Sequence, residues 1–306
     1  MRTKSMQYSR KRENLAGYAF VGPALVCYLL LVAFPFCLTI ILSFTEFNFL
    51  RVRDISQLGK YIEWIGLENF VKAFSDRRFV ASISNTFVYA IATVPASILL
   101  GIALAYALNG KVFCKTGLRL AFFIPYISSV VAVGAVFKFL FREDGLVNNF
   151  LQSTGLASEA VKWTVDARFT KVPIILLVIW TSLGYILIVY MAALQNVPKS
   201  LYEAATIDGA TSFQQFKSIT LPMVSPTTFY LVIVRLIAVF KIFGSVNVFT
   251  MGSSITSNTS MVQEIYTTAF ANYQHGYASA QSVVLLIIIV FFTAVNFAGQ
   301  KKWVHY

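Results

Sequence analysis

Long stretches without Asp, Glu, Lys or Arg, separated by polar intervals, set the pattern of this chain. Residues 15–45, 79–110, 120–137, 172–197, 218–234, 242–263 and 265–300 contain none of the four. A bilayer core takes about 20 apolar residues per helix. Six spans fit, at roughly 15–44, 82–109, 119–141, 172–194, 223–250 and 279–300. Each is too long for a strand and none alternates apolar and polar residues, which argues against an outer-membrane barrel. The predicted fold is an all-α integral membrane protein: a tail, 1–14, followed by one transmembrane domain, 15–306.

The polar intervals carry their own patterns. In 45–80, Leu67, Phe70, Val71 and Phe74 recur at helical spacing and predict a short amphipathic helix. In 142–171, Asp144-Gly145, Asn148-Asn149 and Gly155 are turn signals. The interval 251–278 is rich in Ser, Thr and Asn up to Asn258 and helical in pattern beyond it, with Gly276 as a candidate helix break. The interval 195–222 is the most structured. Val197-Pro198 ends span four, since the residue before proline avoids the helical region. Pro198 suits the first turn of a new helix, Ser200 is a candidate cap, and Glu203 follows near the positive helix end. Ala204 and Ala205 favour helix and add almost no bulk. Gly209 ends that helix, Thr211 or Ser212 caps a second one presenting Phe213 and Phe216 on one face, and Pro222 restarts the chain as span five. The prediction is an L-shaped pair of short helices between spans four and five.

Charge orients this scheme. The tail holds Arg2, Lys4, Arg10, Lys11 and Arg12 against Glu13 alone, which places it in the cytoplasm. An even number of spans then puts both termini there, with 195–222 also cytoplasmic and 45–80, 142–171 and 251–278 outside. The outer intervals are rich in Lys and Arg too, so the tail carries most of the orientation argument. The net charge of +12 is read as topology, because no soluble domain exists to present a basic face to nucleic acid. The first apolar run, about 30 residues, is too long for a signal-peptide core. Cys27 and Cys37 in span one and Cys114 in the loop after span two form no disulfide framework and are predicted free thiols.

The candidate chemistry is sparse. No G-x4-G-K-[ST] loop occurs, the two histidines (His275, His305) lie outside the spans, and no nucleophile–base or metal-ligating set is discernible, so no catalytic or metal residue is assigned. Three cations fall inside spans: Lys138, Arg235 and Lys241. Such residues mark pathways by default. Lys138 sits near the end of span three, where its stem allows snorkelling. Arg235 lies about 18 Å and Lys241 about 27 Å along span five from Met223, pointing about 120° apart. Lys241, with Phe240, Phe243 and Asn247, is the expected lining of a pathway, and Arg235 is a second candidate. Aromatic faces suit sugar rings, and a lysine suits a hydroxyl-rich or acidic sugar.

The spacing E-A-A-x3-G-x9-I-x-L-P is met at Glu203, Ala204, Ala205, Gly209, Ile219, Leu221 and Pro222. It resembles the signature loop of permease subunits of binding-protein-dependent ATP-binding-cassette importers. Leu194-Gln195-Asn196-Val197-Pro198, Tyr202, Asn272-Tyr273, Gly276 to Ala280, Gly66 to Phe70 and Asn85-Thr86 look like that family's carbohydrate-uptake branch, so the resemblance covers nearly the whole chain. The chain lacks the extra N-terminal spans and large outer domain of the maltose-type subunit and is similar to the compact six-span subunits of glycerol-phosphate and oligosaccharide importers. The resemblance implies that the loop, including Asp208, Phe213 and Phe216, docks on a separate ATPase subunit that holds ATP and magnesium. It also implies a second permease chain, two ATPase subunits, an extracytoplasmic solute-binding protein, and import of a sugar or oligosaccharide across a bacterial cytoplasmic membrane by alternating access. No cofactor is expected in this chain. Two other readings are an ion-gradient-driven secondary transporter, which calls for acidic residues inside spans, and a membrane-embedded enzyme, which calls for a His or carboxylate cluster.

Overall fold

The computed structural model describes residues 17–51, 59–110, 113–250, 256–302 and 304. The basic tail with Leu15 and Ala16, Lys111, His305, and residues 251–255 of the Ser/Thr-rich interval lie outside the described residues. The chain divides into two compact units, Met1–Ala73 with Thr268–Val283, and Phe74–Thr267 with Val284–Tyr306.

The first unit contains α1 (Gly17–Leu42), whose apolar side chains are exposed along its length. A two-stranded antiparallel hairpin follows, β1 (Thr45–Phe47) on β2 (Ile62–Trp64), with Thr45 opposite Trp64. The amphipathic pattern at 67–74 forms α2 (Glu68–Ser75). Its buried positions are Asn69 and Ala73, while Leu67, Val71 and Phe74 are exposed. Asn69 explains the inversion: its Nδ2 donates to the carbonyls of Ser43 (3.1 Å) and Thr45 (2.9 Å), tying α2 to the strand. Gly276 is not the helix break that the sequence suggested. It lies inside α13 (His275–Gly299), against the Thr45 carbonyl, and the turn before the helix is made at Tyr273, with φ +57°.

The second unit is helical. It opens with α3 (Arg77–Asn109), longer than expected because the Asp76 side chain accepts from the Arg78 amide and starts the helix early. The third predicted span is not one straight helix: it is two helices, α4 (Lys115–Ile127) and α5 (Val130–Leu140), bent by 101°. Ser128 and Ser129 cause the break by taking extended backbone, and both the amide and the Oγ of Ser128 donate to the Ile124 carbonyl, which closes the last turn of α4. Asn148, in α6 (Leu146–Ser153), organises the next loop: it donates to the carbonyls of Arg142, Glu143 and Val161 and accepts from Val161 N and Trp163 Nε1. After α7 (Lys171–Gln195) come α8 (Lys199–Ile207), α9 (Ser212–Gln215), α10 (Ser225–Phe240) and α11 (Gly244–Thr250), the last two interrupted at Lys241 to Phe243. The described residues thus include five helices long and apolar enough to cross a membrane, or six if the bent pair is one span.

The core lies where α7 meets α3 and α4, with Tyr89, Tyr190, Ile174, Leu177 and Ile186 fully buried. At Gly184 a Cβ would overlap the backbone of Phe122 and Phe123, so α4 rests backbone to backbone on α7. The segment leading into α12 (Met261–Tyr266) is fastened to α3 by polar groups: Asn85 donates to the Thr256 and Thr259 carbonyls, Tyr89 to Asn258, and Thr86 Oγ accepts from Met261 N. Glu264 on α12 is 4% exposed and faces Arg78 Nε at 3.9 Å. Burial raises its pKa above the usual carboxylate value, an effect that Arg78 opposes and Asp76 reinforces.

Candidate functional site

Two neighbouring regions of the second unit hold the residues singled out by sequence. The first is the elbow between α7 and α10. Here α8 starts after Pro198, which stands at the N-cap itself, and Ser200 makes no cap. Gly209 takes φ +75°, and the amides of Gly209 and Ala210 donate back to Thr206 and Ala205, the bond pair of a glycine-terminated helix. Thr211 then opens α9 with a reciprocal capping box to Gln214. Two side-chain bonds hold the arms together: Gln215 Nε2 donates to Thr206 Oγ1 (3.0 Å), and the hydroxyls of Tyr202 and Thr220 pair at 2.9 Å. Residues Phe216–Thr220 form one wide turn before Leu221 and Pro222 lead into α10. An open hollow of about 320 Å³ sits in the bend, lined by Ala205, Asp208, Gly209, Gln214, Ser218 and Ile219 among others.

The exposed side chains of this elbow include Glu203, Ala204, Asp208, Lys217 and Leu221, and its most exposed apolar tips are Ile207 (87% exposed) and Phe213 (74%). Phe216 does not share a free face with Phe213: it packs edge-on against Tyr106 of α3 at 4.9 Å. Ala205, Ile219 and Pro222 are half-buried. A rigid backbone, small residues and two projecting apolar tips make a surface shaped for a protein partner.

The second region runs along α7 and α10. The Tyr185 and Tyr230 hydroxyls meet at 2.9 Å, and Tyr126, at the end of α4, stacks on Tyr185 with ring centres 5.4 Å apart. Tyr126 and Tyr230 remain exposed on this chain. On one side of the tyrosine pair is an open hollow of about 370 Å³ that includes Val189, Asn196, Pro226 and Tyr230. On the other is a hollow of about 220 Å³ lined by Val130, Thr181, Arg235, Phe243, Gly244 and Ser245 among others. Arg235 interacts electrostatically with Tyr126 and Tyr185, and its Nε has no hydrogen-bond partner.

The sequence profile described as "Binding-protein-dependent transport system inner membrane component" matches residues 70–302. The chain belongs to that family. Among relatives, the probable ABC transporter permease protein YesP of Bacillus subtilis is 31% identical over 99% of this chain and 96% of its own. The lactose transport system permease protein LacF of Rhizobium radiobacter is 30% identical over 99% of both. The sn-glycerol-3-phosphate transport system permease protein UgpA of Agrobacterium fabrum is 30% identical over 94% of this chain and 98% of its own. Among solved structures, a chain of a bacterial alginate ABC transporter, in complex with alginate pentasaccharide-bound periplasmic protein, superposes with a TM-score of 0.81 at 22% identity, covering 96% of this chain and 97% of that one. That likeness establishes the fold.

The elbow joins Glu203, Ala204, Ala205, Asp208, Gly209, Ile219, Leu221 and Pro222 in one small surface region, while Phe216 is drawn inward. The expected pathway residues are divided. Arg235 and Phe243 line the smaller hollow together. Phe240 is 1% exposed, wedged between Phe87 and Phe292, so it serves packing. Lys241 is exposed at the break between α10 and α11, and Asn247 is half-buried; neither lines the hollow. Sequence reasoning missed Tyr126, Thr181, Tyr185, Tyr230 and Ile207. Thr181 and Tyr185 are one turn apart on a span, a signal that was available. The pairing of Tyr185 with Tyr230 was not, because it joins two helices.

Proposed function

We propose that this chain is the transmembrane permease subunit of an ATP-driven importer carrying a sugar or oligosaccharide across a bacterial cytoplasmic membrane by alternating access. The bent pair α4 and α5 counts as one of six spans, and both termini are cytoplasmic, a topology supported by the basic tail. Membership of a binding-protein-dependent family supports an extracytoplasmic solute-binding protein as a partner, and relatives named for lactose and sn-glycerol-3-phosphate support a hydroxyl-rich cargo. A second permease chain and two ATPase subunits complete the assembly, the ATPase subunits supplying ATP and magnesium.

The observation that carries the reading is the elbow. Its two arms are locked by Tyr202–Thr220 and Gln215–Thr206, so force applied at Ile207, Asp208 or Phe213 reaches α7 and α10 without being absorbed by bending. Those two helices line the tyrosine strip and both hollows. Nucleotide-dependent closure of the ATPase subunits then biases the membrane helices between two states through that contact. The absence of Asp and Glu from the long uncharged runs gives a proton- or sodium-coupled mechanism no acidic partner, and no residue set favours an enzyme.

The test is site-directed cross-linking in the assembled complex. A cysteine at Asp208 is expected to cross-link to an ATPase subunit, and Phe213→Asp is expected to uncouple binding-protein-stimulated ATP hydrolysis while the permease stays in the membrane. Cross-linking of position 208 to lipid or to an extracytoplasmic protein alone overturns the proposal.

A further inference from the structure

We infer that the hollow around Arg235 receives an oxyanion carried by the transported saccharide, so that the cargo is an acidic sugar and Arg235 is the residue that selects it. The inference rests on the importer reading above and assigns its substrate class.

Four observations converge. Arg235 lies ten residues into α10 and keeps a buried Nε with no hydrogen-bond partner. No Asp or Glu lies within the uncharged runs that form the spans, and among the described residues no carboxylate stands within ion-pair distance of Arg235. A cation held at that depth is costly until an anion or aqueous path meets it. The backbone is also interrupted on two sides of the hollow, at Ser128–Ser129 before Val130 and at Lys241–Phe243 before Gly244. Non-helical backbone at membrane depth is tolerated only inside protein or along a water-filled cavity, and interrupted helices of this kind surround the substrate in other transporters. Finally, Tyr126 and Tyr185 lie within electrostatic reach of Arg235 and form one strip of hydroxyls and ring faces with Tyr230.

The chemistry follows from the guanidinium. Its fixed fork of donors matches carboxylate or phosphate in two parallel bonds, which a neutral hydroxyl cannot reproduce. The volume of about 220 Å³ is below that of an ordinary drug-sized pocket and suits one charged group with the ring that bears it. The remaining sugar units would lie along the tyrosines and Thr181.

The complete complex, with both permease chains, the ATPase subunits and the binding protein, is reconstituted in vesicles. ATP-dependent uptake is measured for trigalacturonate, glucose 6-phosphate and maltotriose, which offer a carboxylate, a phosphate and no charge. The expected result is uptake of one of the two acidic probes, which identifies the oxyanion. Arg235→Gln should lower that uptake at least tenfold, Arg235→Lys should restore part of it, and the complex should assemble in wild-type yield. Uptake of maltotriose alone overturns the assignment and leaves the importer standing. So does an Arg235→Gln variant that imports the acidic probe normally. Failure of the Arg235→Gln complex to assemble also overturns it, since that marks a cation neutralised by another subunit for structural reasons. No ATP-dependent uptake of any probe fails the importer reading itself.

Discussion

Single polar residues inside this protein fix the backbone where helices stop. Asn69 and Asn148 are the clearest cases, each spending its amide on main-chain groups that no helix or strand satisfies. Replacing Asn148 by Ala removes its three donor bonds and both accepted bonds and leaves buried carbonyls unpaired. The expected cost is about 2–3 kcal/mol, read as a lower unfolding temperature and as proteolytic nicking within 142–171. Sequence had marked Asn148 only as a turn residue, because its partners at Val161 and Trp163 are thirteen or more positions away. Glu264 gives a second prediction. Burial lifts its pKa in the folded chain, so folding favours the protonated form. Stability should therefore fall as pH rises from the ordinary glutamate value of 4.5 through the raised folded value, and Glu264→Gln should flatten that part of the profile. Thermal unfolding of the purified protein from acid to neutral pH reads both slopes.

Helices and turns were legible to unequal degrees. The turn of the elbow was legible at Gly209 and Thr211 because those signals are local, whereas Ser200 makes no cap and Phe216 turns inward onto Tyr106 of α3, a contact that joins distant parts of the chain. Gly209→Ala places a side chain at φ +75° and should cost about 1–2 kcal/mol, while Thr211→Ala should cost about 1 kcal/mol through the lost cap. Both should weaken stimulation of ATP hydrolysis by the binding protein more than they weaken assembly, measured side by side in reconstituted complex. The bend at Ser128–Ser129 escaped notice since the hydropathy of 119–141 is continuous across it. Hydropathy records what a segment can be buried in, not whether its backbone is straight. The same limit hid the interruption at Lys241, which turned an expected pathway lysine into an exposed residue at a helix end.

Across the whole molecule, the membrane class and the family were open to sequence because both rest on long runs and a seven-residue motif. The tyrosine strip and the hollow at Arg235 were not, because they are written in contacts between α4, α7 and α10. The chain purified alone is expected to hydrolyse no ATP and to transport nothing; a measurable ATPase rate in that sample contradicts the division of labour proposed above. The contact at Gly184 has a mechanical corollary. With main chain resting on main chain there, no cushion of side chains exists to soak up sliding between α4 and α7. A tilt imposed on α7 from the elbow should therefore pass directly to α4 and carry Tyr126 with Tyr185, whereas α5, past the sharp corner at Ser128, packs mainly on α11 and meets α7 through the Phe137–Trp180 ring contact. The two halves of the third span thus rest on different neighbours, main chain on one side of Ser128–Ser129 and side chains on the other.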